Sequence, residues 1–130
     1  MTDFEILFLV RRLERCELSP REFHHRDHLA VCAFYLYSSD LQSALNSMRE
    51  SLLRFTKHHG LKGYHETITR FWMERVRERL QNGECMGKFV ERLQSEFSDK
   101  NVIYKYYSRE VLESAQAKEE WIEPDLETEI

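Results

Sequence analysis

"RDHLAVCAFYLYSSDLQSALNSMRESLLRF", residues 26–55, decides the fold. Its first half holds the longest uninterrupted apolar run of the chain, residues 29–37. A helix over 26–38 is therefore apolar nearly all round and belongs at the centre of a domain. "SSD" at 38–40 stops that helix and caps another. From Leu41 to about His58 the pattern changes, with Leu41, Ala44, Leu45, Met48, Leu52 and Phe55 on one face of a second helix. A buried helix joined to an amphipathic one by so short a link predicts an antiparallel helical hairpin.

Working outward, helices continue on both sides. Residues 3–16 carry Phe4, Leu7 and Phe8, then Arg11 or Leu13, at helical spacing, with Asp3 and Glu5 at the positive end of the helix dipole. Ser19, Pro20 and Glu22 form a capping box that restarts the chain. Gly60 in "HHGLKG" supplies a left-handed stop. A helix over 64–81 is expected to bury Ile68, Trp72, Val76 and Leu80, and another follows over 84–97. "VIYKYYS" (102–108) suits a strand or a short helix equally, and a short helix is expected after Ser108. Pro124 ends regular structure and leaves an irregular acidic tail from about residue 122. The expected fold is all-α: one helical-bundle domain over residues 1–130, with about five main helices.

Composition narrows the function classes. With 42% hydrophobic and 32% charged residues the chain reads as a soluble globular domain. Its apolar run is too short to span a bilayer, and no leader pattern opens it. Three cysteines without a C-x-x-C spacing fit reduced thiols in a cytoplasmic protein. Arg70, Arg75, Arg77 and Arg79 are interleaved with Glu66, Glu74 and Glu78. That mixture marks a solvated helix face, so a nucleic-acid partner is not expected. Negative charge concentrates at the end, with eight acidic against two basic residues from Ser108 onward.

The candidate chemistry lies in the histidines. On a helix, His25 and His28 differ by about 60° and about 4.5 Å in rise, and share a face with Leu29, Cys32 and Leu36. His65 begins a later helix on the side of Thr69, Trp72 and Val76, with Glu66 turned toward the rim. Parallel placement of these two helices, with the long helix between them in sequence, brings both starts to one end of the bundle. Two or three imidazoles and a carboxylate then converge. His25, His28 and His65 would be metal ligands, with Zn or Fe the cofactor expected for such donors. His65 and Glu66 are the candidate acid/base pair, while Asp27, Tyr64 and Thr69 complete a small-molecule pocket. Cys32 is expected as a small hydrophobe, and His58 and His59 as surface caps at a helix end. No H-E-x-x-H, glycine-rich phosphate loop or nucleophile elbow occurs.

"FHHRDHLAVCAFYL", "YHETITRFW" and "WIEPDL" resemble a family of small, mostly uncharacterised bacterial proteins with F-x-H-x-D-H-L, Y-H-E-T-[IL]-T and W-x-E-P-D-L in that order. The resemblance covers most of the chain, from about Phe23 to Leu126. It carries over His25, Asp27, His28, Tyr64, His65, Glu66, Thr67, Thr69, Trp121, Glu123, Pro124, Asp125 and Leu126, and leaves out His24, His58 and His59. It implies a shared site without a reaction, and a "WIEPDL" segment folded back on the bundle as a lid over the same end. Two other readings stand beside a small-molecule or metal site with metal-assisted or acid/base chemistry. One is a non-catalytic helical interaction module with structural histidines. The other is a histidine switch that acts between about pH 5.5 and 7.5.

Overall fold

Most helices of the described residues start where a side chain satisfies an amide group that the first turn leaves open. In the computed structural model, which describes residues 1–126, Thr2 and Glu5 form a reciprocal capping box that opens α1 (Asp3–Glu14). Ser19 and Glu22 do the same around Pro20, but for a single 3₁₀ turn, Pro20–Glu22. The chain then resets at Phe23 and enters α2 (His25–Tyr37). Asp40 accepts the Ser43 N–H and starts α3 (Leu41–His58). Gly60, at φ 65°, ends α3 with the Leu61 N–H bonded back to the Thr56 carbonyl at 2.8 Å. α4 (Glu66–Glu78) and α5 (Met86–Glu96) follow. A 3₁₀ helix, Lys100–Lys105, leads to the short α6 (Arg109–Leu112) and α7 (Ala115–Glu119), capped by Ser108 and Ser114.

The described residues form no strand, and the fold is all-α as expected. α2 is the central element: Leu29, Ala30, Val31, Cys32, Ala33, Tyr35 and Leu36 are all buried, and α1, α3, α4 and α5 pack around it. α3 buries Ala44, Leu45, Met48, Leu52 and Phe55, the expected stripe. "VIYKYYS" enters the 3₁₀ helix and the turn after it, where Ile103 and Tyr107 complete the core. Among the described residues no helix is long and apolar enough to cross a membrane.

Two expectations about helix faces need correcting. α1 buries Ile6, Leu9, Val10 and Leu13 and leaves Phe4, Leu7 and Phe8 exposed. The buried quartet has apolar residues at all four positions of an i, i+3, i+4, i+7 set, whereas the outer set reaches Arg11 at its fourth. Leu80 is likewise exposed, because α4 ends at Glu78.

The last described segment folds back on the bundle without covering the histidine end. Thr67 Oγ1 donates to the Glu120 carbonyl at 2.9 Å and accepts the Ile122 N–H at 3.2 Å. Tyr107 Oη donates to the Ile122 carbonyl, Asp125 accepts the Ser108 N–H, and the Leu126 N–H reaches the Tyr106 carbonyl. These bonds hold residues 120–126 against α4 and the chain before α6. The remainder of the acidic tail, residues 127–130, lies outside the described residues.

Candidate functional site

The starts of α2 and α4 do meet at one end of the bundle, around a cavity of about 680 Å³. α2 contributes His24, His25, His28 and Cys32, and α4 contributes His65, Ile68, Thr69 and Trp72. α3 forms a wall with Met48, Leu52, Phe55 and Thr56, and the loop behind it adds Leu61, Gly63 and Tyr64. The 3₁₀ helix closes the remaining side with Lys100, Asn101, Ile103 and Tyr104. The walls are mostly apolar and aromatic, with a few polar groups among them. Small-molecule sites have this composition, and the volume lies within their usual range.

The three candidate histidines differ in what their ring nitrogens already bind. His65 is fully engaged. As the N-cap of α4 its Nδ1 accepts the Ile68 N–H at 3.1 Å, so Nε2 carries the proton and donates to the Leu112 carbonyl at 2.6 Å. Burial lowers its pKa, the bond to Leu112 opposes that, and Lys118 adds to it. His25 is half engaged: Nε2 donates to the Phe97 carbonyl at 2.8 Å, and the ring sits edge-on to Trp72. Burial lowers its pKa too, partly offset by the Phe97 bond. His28 has no hydrogen-bond partner for either nitrogen among the described residues, though its ring stacks on Phe23 at 4.0 Å between centroids. Surrounding protein, with a smaller push from neighbouring His25, lowers its pKa to about 4. His28 therefore presents a neutral imidazole to the cavity at pH 7, and stays neutral through the interval in which a histidine switch would act.

A metal site built from His25, His28 and His65 is not assembled. His65 has no lone pair to give, and His25 has only Nδ1. Among the described residues no group of three or more His, Cys, Asp or Glu is placed to hold a metal ion.

The other predicted residues divide. Tyr64 and Thr69 line the cavity with the histidines. Thr69 Oγ1 donates to the His65 carbonyl at 2.8 Å and closes the first turn of α4. Asp27 does not line the cavity: its Oδ2 accepts the His24 N–H at 3.0 Å and fixes the start of α2. Glu66 faces away from the histidines into a shallow depression beside Lys118 and Trp121. There it takes the Arg49 guanidinium at 2.8 and 2.6 Å and the Tyr64 hydroxyl at 2.6 Å. The bonds from Arg49, then Tyr64, hold its carboxyl below the ordinary range against the opposing effect of burial. A carboxylate so occupied and so placed is not the acid/base partner of an imidazole in the cavity. It joins α3 to the start of α4.

Two smaller expectations also resolve. Cys32 is buried in the cavity floor, and burial pushes its thiol pKa up to about 12, so it behaves as a small hydrophobe. His59 is more than a surface cap: its Nε2 donates to the Leu18 carbonyl at 2.9 Å and ties α3 to the loop after α1. Sequence reasoning missed the contribution of Lys100, Asn101 and Tyr104. The clue was the aromatic, ambiguous "VIYKYYS", whose neighbourhood becomes the cavity's outer wall. No family model matches the chain, and no curated protein and no solved structure is similar to it.

Proposed function

We propose that the protein binds a small, largely apolar organic molecule in the cavity between α2, α3, α4 and the 3₁₀ helix, with His28 as the polar anchor. The observation that carries this reading is the neutral His28 imidazole, without a protein partner, in the wall of an aromatic cavity. The His28 ring is partly exposed and its nitrogens remain open to the cavity, so a ligand that accepts from or donates to them gains a hydrogen bond without displacing a protein partner. The same ring, with a pKa near 4, is a weak base at neutral pH, so recognition is a better match for it than general acid catalysis.

A direct test is titration with 2-naphthalenemethanol, a flat apolar probe with one hydroxyl, followed by NMR of the labelled protein. Saturable shifts centred on His28, Trp72 and Tyr104, and weaker binding by His28→Leu, are the expected result. Shifts scattered over the surface, or none at millimolar probe, would defeat the reading.

A helical interaction module has one observation in its favour: Phe4 and Phe8 are 75% and 58% exposed on α1. Sedimentation showing an assembly of the chain that Phe4→Ser and Phe8→Ser dissolve would favour that alternative.

A further inference from the structure

Resting on the pocket reading above, we infer that the cavity selects anions: its ligand is an aromatic or aliphatic body bearing a carboxylate or similar acidic group, held at the mouth by Lys100. Among the described lining residues the one permanently charged side chain is the cation of Lys100. The titratable lining residues with basic side chains are Lys100 and four histidines, and no Asp or Glu is among the described lining residues. Lys100 is exposed, at the start of the 3₁₀ helix, and lines the cavity; its charge lowers the His25 pKa somewhat more than neighbouring Asp99 raises it.

The carboxylates that neighbour the lining in sequence do not line it: Asp99, which also acts on His25, accepts the Asn101 N–H at 2.9 Å, and Asp27 accepts the His24 N–H. Lys100 has no ion-pair partner among the described residues, unlike Arg49, Arg70, Arg79 and Arg92, each of which meets a glutamate. The arrangement also points the amino ends of two 13-residue helices, α2 and α4, toward the same space. Aligned peptide dipoles make that end of each helix favourable to negative charge. A cationic ligand would meet Lys100 with no carboxylate in the described lining to receive it, since the first-turn acids Asp27 and Glu66 lie outside that lining. The apolar body of an anion would lie among Phe23, Phe55, Trp72 and Tyr104, with its acidic group at the solvent edge, where desolvation costs least.

Three naphthyl probes of one shape test this: 2-naphthoate, 2-naphthalenemethanol and 2-naphthylmethylammonium, titrated by calorimetry at pH 7.5 and low salt. The carboxylate should bind about fivefold or more tighter than the alcohol, and the ammonium weakest, a preference of the size one partly exposed ion pair supplies. Lys100→Gln should remove most of the carboxylate's advantage over the alcohol, and 0.5 M salt should shrink it in the wild type. Alcohol binding at the cavity with no carboxylate preference, or with a preference that Lys100→Gln leaves intact, overturns the anion assignment and spares the pocket reading. Absence of saturable binding by any of the three overturns both.

Discussion

Acid should weaken this fold well above the pH at which carboxylates protonate, and His28 should be a principal cause. In the unfolded chain its imidazole titrates near the ordinary value of 6.5, whereas in the folded protein burial holds it at about 4. Between those values the unfolded state binds the proton and the folded state does not, so stability falls as pH falls. Below about 4 both states are protonated and the dependence on His28 ends. Taking those two values, the loss between pH 7.5 and 5 comes to about 2 kcal/mol from His28 alone, within a full span of about 3 kcal/mol. Folded-state pKa values of His25 and His65 are lowered as well and add to the slope with the same sign. Urea unfolding of the wild type and His28→Leu at pH 7.5, 6.5, 5.5 and 5.0 isolates the effect, since carboxylates change little over that range. The variant should lose about 2 kcal/mol less than the wild type on going from pH 7.5 to 5. Equal losses in the two proteins would refute the reasoning and show that His28 is readily protonated in the folded state.

Glu66 and His65 offer contrasting tests, because the structure gives each a structural task. Glu66→Gln keeps the shape but removes the charge that Arg49 grips, and should cost about 2 kcal/mol in urea unfolding at pH 7. The carboxyl's folded pKa is depressed, so this stability is present above the ordinary carboxylate range and lost as pH falls through the folded value. Affinity for 2-naphthalenemethanol should stay within about twofold, since Glu66 does not line the cavity; a tenfold loss would return Glu66 to the site. His65→Leu should cost about 2 kcal/mol by removing both the α4 cap and the bond to Leu112. His65→Asn restores an acceptor for the Ile68 N–H and should recover about half of that. If Asn is no better than Leu in thermal unfolding, the capping role is wrong.

Periodicity made the fold legible where each helix had one complete apolar stripe. α3 begins and ends at the residues its pattern implied, between Asp40 as cap and Gly60 as stop. α2 was legible as the centre because no face of it is polar enough for water. α1 was less so, because it carries two apolar stripes that share a helical spacing. The fourth position separates them: Leu13 completes the buried set of Ile6, Leu9 and Val10, whereas the exposed set of Phe4, Leu7 and Phe8 reaches Arg11.

The candidate site was legible as a place and illegible as chemistry. Helical spacing put His25, His28 and His65 at one end, and the cavity there includes all three. Their chemistry depends on backbone carbonyls contributed from far along the chain: Phe97, 72 residues from His25, and Leu112, 47 residues from His65. No spacing rule encodes such partners, so histidines that looked alike in sequence have separate tasks. His65 supplies an acceptor to its own helix and a donor to α6, which accounts for a histidine at that cap: Ser or Asp there would bond the Ile68 N–H but could not also reach Leu112. His25 secures the end of α5. With His25 and His65 committed to backbone carbonyls, His28 is the one of the three with no hydrogen-bond partner among the described residues, its nitrogens open to the cavity. Its substitution should therefore separate binding from folding more cleanly than that of either of the other two.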